Sequence, residues 1–232
     1  MLIKIAGLVI DVKNKYQYFE KICRDYTVSG VTADFSVEVP DEVLKKAVED
    51  NPDYPDDYIE SLEIYRIICK KILSFDAMLM HCAAVSVDNE AYLFTAVSGT
   101  GKTTHINLWR KKFGDRFFVI NGDKPIIRLI DGKFYVCGTP FMGKENYGTN
   151  KIVPIKAICI LERGKKNEIK KIAPHEAIST ILVQTLRTDD MAEMEQMLSI
   201  SDKLLLSVPF YRLKCNMDIE AAEVAYEAMS RA

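Results

Sequence analysis

The chain has 232 residues, 48% hydrophobic and 28% charged, with 31 Lys and Arg against 33 Asp and Glu. That length predicts about one or two domains, and burying roughly 70% of the unfolded surface gives a core without disulfides. A net charge of −2 and a pI near 6.0 carry no polybasic footprint, which argues against nucleic acid and against a membrane surface as partners.

The apolar start, residues 1–11, is too brief for a secretory leader and predicts a strand over 2–12. Phe35 to Val39 alternates with period two and predicts another. Residues 41–60 hold eight acids against two lysines, with Pro52 and Pro55. They read either as a surface link between an N-terminal region and the rest or as a solvated loop and helix start, within an N-terminal accessory region, 1–75, that precedes the main domain, 76–232. Residues 56–75 predict a helix whose face carries Tyr58, Leu62, Tyr65, Cys69 and Ile72. Residues 78–87 and 91–96 read as a strand hairpin turning at Asp88-Asn89. A helix is expected over 103–113 and a buried strand over 116–120. A second hairpin turns at Asp131-Gly132 between 126–130 and 133–137. A strand over 155–161, helices over 175–187 and 191–206, a strand over 208–215 and a helix capped by Asp218 complete the chain. The stripe Met191, Met194, Leu198 and Leu205 reads as core. Mixed strands and helices with several hairpins predict an α/β domain with a partly antiparallel sheet.

Cys23, Cys69, Cys82, Cys137, Cys159 and Cys215 form no C-x-x-C pair. That argues against a zinc ribbon or redox motif and for reduced thiols in a cytoplasmic protein. No apolar run reaches the ~18 residues of a membrane helix.

One segment carries chemistry. Residues 96–104, Ala-Val-Ser-Gly-Thr-Gly-Lys-Thr-Thr, fit the phosphate-binding loop G-x-x-x-x-G-K-[ST] except at Ala96. An apolar strand precedes them and a helical stretch follows. Small residues let successive backbone N–H groups curl around an anion, and a helix N-terminus adds its dipole. Ser98, Gly99, Thr100, Gly101, Lys102, Thr103 and Thr104 are therefore the candidate nucleotide-binding residues. Lys102 would reach the β- and γ-phosphates and the Thr103 hydroxyl would ligate Mg²⁺. If position 96 needs a positive φ, alanine costs ~1 kcal/mol there. Asp123, just past the next buried strand, is the candidate acid for Mg²⁺ or for the acceptor hydroxyl. His81 reads either as a satisfied core histidine or as a catalytic group. The glycine-flanked loop 138–150 reads either as a surface loop or as a lid, with Lys144 and Glu145 as its charged tip and candidate substrate contacts. The five basic residues within 163–171 read as a solvated turn or a docking patch for an acidic partner.

Residues 98–104 resemble the kinase motif of ATP-dependent phosphoenolpyruvate carboxykinase. Gly122-Asp123 stands where that family and HPr kinase/phosphorylase carry an Asp-Asp pair, and His81 lies about as far ahead of the loop as a histidine of HPr kinase. The resemblance covers about residues 77–165, with a weaker echo in the C-terminal strand and helix. Carboxykinases are far longer, so the chain looks more like the small stand-alone HPr-kinase-like proteins of bacteria, some of which phosphorylate a serine on a precursor peptide. The resemblance implies a P-loop fold, ATP and Mg²⁺ as cofactors, and γ-phosphoryl transfer to a serine of a peptide or small protein. In it, one acid acts as base toward the serine hydroxyl while the metal is held nearby. Ala96 and Gly122 depart from the pattern and leave Asp123 alone. A nucleotide-binding regulator without transfer chemistry and a phosphorylase running the reverse reaction are the alternatives. Self-association is left open.

Overall fold

A computed structural model describes residues 1–97, 99–186 and 188–231. The apolar start is not one strand but a hairpin, β1 (Leu2–Ile5) and β2 (Leu8–Lys13), because Ala6 and Gly7 take positive φ between them. β3 (Phe35–Glu38) joins β2 in parallel and completes a three-stranded sheet. Helices α1 (Gln17–Ile22), α2 (Asp41–Asp50) and α3 (Asp56–Lys71) belong to the same N-terminal segment. The acidic stretch read as loop and helix start is thus α2 and the first turn of α3. Asp41 and Glu42, and Asp56 and Asp57, open these helices, where acids complement the dipole.

The larger sheet has nine strands. They are β4 (Ala77–Leu79), β5 (Ala83–Val87), β6 (Glu90–Thr95), β7 (Phe117–Asn121), β8 (Ile126–Ile130), β9 (Lys133–Cys137), β10 (Ile152–Arg163), β11 (Glu168–Ile172) and β12 (Phe210–Cys215). The order is β4-β8-β9-β10-β6-β5-β7, and β12 lies on β10 with β11 beyond it. β10 is the branch strand. It runs antiparallel to β9 through residues 152–154, and parallel to both β6 and β12 further along. The fold is therefore mixed α/β with a mixed, partly antiparallel sheet, and seven α-helices lie among the described residues. The other four are α4 (Lys102–Phe113), α5 (Pro174–Gln184), α6 (Met191–Ser207) and α7 (Glu220–Ser230).

Helices cover both faces of the sheet, and the central strands alternate between two cores. Leu93, Ile158 and Ile160 pack with Ile181 of α5 and Ile200 and Leu204 of α6. Tyr92, Phe94, Ala157 and Cys159 pack with Trp109 of α4 and Ala225 and Met229 of α7. Burial on both faces is why these strands read as unbroken apolar runs. A third core joins the N-terminal strands and α3 to Ile126, Cys137 and Phe141.

Several expectations are corrected. The stretch 78–87 is two strands, because the amides of Met80, His81 and Cys82 go to Pro125, Gln184 and Asp123. In the stripe on α6, Leu205 is buried but Met191 is 86% and Leu198 44% exposed; the helix turns Met197, Ile200, Ser201 and Leu204 inward instead. Asp218 does not cap α7 with its side chain, which is held by the Asn216 amide. The basic run after Arg163 holds β11, paired to β12. The expected helix over 175–187 ends at Gln184, and Arg187 lies outside the described residues. Among the described residues no helix is long and apolar enough to cross a membrane.

Candidate active site

The loop 96–101 leaves the end of β6 and enters α4. Ala96 is 2% exposed, belongs to the core beneath α4, and is not among the residues with positive φ. The alanine at this position therefore carries no backbone strain. The positive φ falls instead on Gly99 (+78°) and Gly101 (+121°), where no Cβ opposes it. The loop's carbonyls are turned to internal donors. Val97 O accepts from Thr100 N and Oγ1, at 3.2 and 2.7 Å. Gly101 O accepts from His105 N at 3.0 Å, and Ala96 O from Lys102 Nζ at 3.4 Å. Arg163, at the tip of β10, donates from Nη2 to Gly99 O at 2.6 Å and from Nε to Thr100 O at 3.4 Å. Among the described residues nothing accepts from the amides of Gly101, Thr103 or Thr104. Open amides at a helix start are donors waiting for an anion. Ser98, expected to contribute, lies outside the described residues.

The break between β4 and β5 presents His81. Its Nε2 lies 2.9 Å from Asp123 Oδ1, so this nitrogen carries the proton toward the carboxylate. Asp123 Oδ2 lies 4.0 Å from Lys124 Nζ. The Asp123 carboxyl is held below the usual carboxylate range, first by the His81 hydrogen bond and then by the charges of His81, Lys124 and Lys102, with burial opposing. Asp123 is thus a carboxylate at neutral pH, with Oδ1 bound to His81.

Asn121 organises this corner, and the sequence reading assigned it no role. It is fully buried, and its Oδ1 accepts from the amides of Asp123 (2.8 Å) and Lys124 (2.7 Å). Its Nδ2 donates to Thr139 O, Thr139 Oγ1 and Phe141 O. The Oδ1 bonds from the amides two and three residues on form an Asx-type turn, which aims Asp123. Tyr65 of α3 and Thr139 both donate to Lys124 O, at 2.7 and 2.8 Å. The signal was present in Asn121-Gly122-Asp123-Lys124-Pro125, a turn sequence whose asparagine is its acceptor.

The loop 138–151 folds over Asp123. A Cβ on Gly143 would meet the Asp123 Cβ at 3.0 Å. One on Gly122 would meet Met142 O at 3.2 Å and Tyr147 O at 3.4 Å, and Gly122 N donates to Tyr147 O at 2.8 Å. The place of a second acid is occupied by this loop. Arg110 of α4 lies over the Tyr147 ring at 4.4 Å and pins the loop's far side.

Two clefts flank the loop 96–101 and share Gly99 and Gly101. The first, about 690 Å³, brings together Lys102, Thr103, His81, Asp123, Lys144 and Glu145. Its outer wall is apolar, with Tyr18 and Ile22 of α1, Tyr58 and Leu62 of α3, and Phe141 and Met142. Tyr58 and Leu62, expected on one face with Tyr65, Cys69 and Ile72, line this cleft, Tyr58 also packing against the third core, while Ile64, Tyr65, Ile68 and Cys69 are buried. The second cleft, about 540 Å³, takes Thr100, Thr104, His105, Leu161, Arg163, Cys215 and Met217. Thr104 thus faces away from the His81–Asp123 pair.

His105 is 2% exposed. Its Nε2 accepts from Trp109 Nε1 at 2.9 Å, so the proton sits on Nδ1, which has no partner among the described residues. Burial pushes its pKa down to about 4.

No family model matches the chain, and no curated protein matches it. Among solved structures, the Hpr(Ser) kinase/phosphatase from Coxiella burnetii is similar over 66% of this chain and 93% of its own. The two are 8% identical, with a TM-score of 0.35. The likeness is distant and leaves the site's own geometry to carry the function.

Proposed function

We propose that the chain is an ATP-dependent phosphotransferase whose acceptor is a hydroxyl, a serine of a peptide or small protein. One observation carries this reading: the His81–Asp123 pair shares a cleft with Lys102, Thr103 and the glycine loop. The residues fit a triphosphate. The amides of Gly101, Thr103 and Thr104, from which nothing among the described residues accepts, and the Lys102 ammonium are donors for phosphate oxygens. Thr103 and Asp123 are oxygen donors of the kind Mg²⁺ takes, and both line this cleft. Mg²⁺ would neutralise charge on the phosphates. The nucleoside would lie in the second cleft, against Leu161, Cys215 and Met217.

The acceptor oxygen would bond to the γ-phosphorus as the bond from that phosphorus to the β,γ-bridging oxygen breaks and ADP leaves. Asp123 Oδ2, left over from the His81 bond, takes the hydroxyl proton while Lys102 faces the charge that shifts onto the leaving phosphate. His81 holds the carboxylate's orientation and its ionised state. The apolar outer wall suits a peptide side chain next to the acceptor serine. The second reading, a nucleotide-binding regulator, is favoured by the tight packing of Gly122, which leaves Asp123 without a second acid.

The test has two arms. Lys102→Ala should weaken Mg²⁺-ATP binding about tenfold or more by calorimetry. Asp123→Asn should leave metal-free ATP binding near wild type and abolish slow ATP hydrolysis. Unchanged binding in the first variant removes the phosphate loop. Unchanged hydrolysis in the second, or none in the wild type, leaves the regulator.

A further inference from the structure

We infer that Arg163 is a positioning residue for the phosphate-binding loop, acting through the Gly99 and Thr100 carbonyls; this rests on the function proposed above. Arg163 lies 64 residues from Gly99 in the chain, outside any phosphate-loop motif. The topology brings it there. β10 runs parallel to β6, whose end becomes the loop, and the β6 pairing stops at Ile160 opposite Thr95. β10 continues beside β12 for three more residues, so Arg163 projects past the end of β6 and over the loop.

A peptide unit has two ends. Holding its carbonyl to one side turns the next N–H to the other. Arg163 takes the carbonyls of Gly99 and Thr100 with two nitrogens of one planar fork. The amides that follow these carbonyls belong to Thr100 and Gly101. Thr100 N is bonded to Val97 O, closing the turn, and among the described residues nothing accepts from Gly101 N. The glycines at either end of this pair have no side chain to fix them, and both stand at positive φ. Without the fork, Thr100, Lys102 and His105 are the loop's remaining internal donors among the described residues. The guanidinium therefore removes freedom that phosphate would otherwise have to remove on binding. Its side chain is exposed, so its loss leaves no buried orphan and the fold is insensitive to it.

The probe is inorganic tripolyphosphate, which lacks the nucleoside and so reports on the loop and not on the second cleft. Calorimetry with this probe and with Mg²⁺-ATP is run on wild type, Arg163→Ala, Arg163→Gln, Arg163→Lys and Lys102→Ala, with thermal melts alongside. Arg163→Ala should weaken tripolyphosphate binding about five- to tenfold at an unchanged melting temperature. Arg163→Gln, neutral but still able to donate to Gly99 O, should recover part of the loss. Arg163→Lys, which keeps the charge but not the fork, should also recover only part. Amide hydrogen exchange at residues 99–101 should quicken in the ligand-free alanine variant. Wild-type affinity in Arg163→Ala overturns the inference. So does full recovery by lysine with none by glutamine, which makes Arg163 a plain charge. If Lys102→Ala is weakened and Arg163→Ala is not, the loop stands and the positioning role falls. If wild type binds neither probe, the phosphate reading itself falls, and the inference with it.

Discussion

His105 shows how one buried side chain ties stability to pH. Its folded pKa, about 4, lies below the ordinary 6.5, so between these values the unfolded chain binds a proton that the folded chain refuses. Stability is complete above pH 6.5 and falls as pH drops toward 4, by up to about 3 kcal/mol. His105→Gln keeps an acceptor for Trp109 without the titration. Denaturant melts from pH 7 to 4.5 should show a shallower loss for this variant than for wild type; parallel curves would mean that His105 is not the acid-sensitive group. In the sequence the same residue is the third of a helix expected over 103–113, with nothing to mark it. Burial, which decides its chemistry, comes from Phe94 and Trp109 closing over it. Lys102 and Thr103, by contrast, were legible because local spacing alone puts them at a helix start. Asp123 was legible by its place after a strand, but its partner His81 stayed ambiguous. Its exposure depends on a strand break held by the distant carbonyls of Asp123, Pro125 and Gln184.

Among the elements, the loop 138–151 depends on glycine for two different reasons. A Cβ on Gly138 would stand 1.8 Å from Thr149 O, a backbone atom held by β10's approach. A Cβ on Gly148 would stand 2.8 Å from Met142 Sδ, the far end of a flexible chain. Gly138→Ala should therefore cost about 1–3 kcal/mol, a fall of roughly 3–10 °C in melting temperature. Gly148→Ala should cost much less, since Met142 can move. Equal melts for the two alanine variants would show that the loop adjusts as a whole. The two hairpins at Asp88-Asn89 and Asp131-Gly132 were readable because their turns are local, with positive φ at all four residues. α1, α2 and β11 were not. α1 is six residues, α2 buries Leu44 alone, and β11, with Lys170 and Lys171 adjacent and only Ile172 buried, carries little apolar signal.

Across the whole molecule, the N-terminal segment and the larger sheet share one core. Tyr65 stacks on Phe141 at 3.9 Å, Arg128 Nη1 donates to Ala6 O at 2.7 Å, and Ile126 and Cys137 pack among the N-terminal apolar residues. A chain starting at residue 76 should therefore expose Ile126, Cys137 and Phe141 and lose the Tyr65 bond to Lys124 O beside Asp123. Expressed alone, it should be aggregated, or melt well below the full chain, in sedimentation and circular dichroism. A monomer with a full-chain melting temperature would show that 76–232 folds independently.

The overhang of β10 also sets an order of events in time. The segment from Ala96 to Thr104 is synthesised before the arginine that braces it, and β10 in turn is flanked by β12, whose residues end at Cys215. Parallel pairings between such distant strands are slow to close, because the intervening chain must be brought in first. On the ribosome, the glycine loop therefore emerges long before it has its shape. In a nascent chain the loop can take its braced shape only after β10 and β12 have followed it.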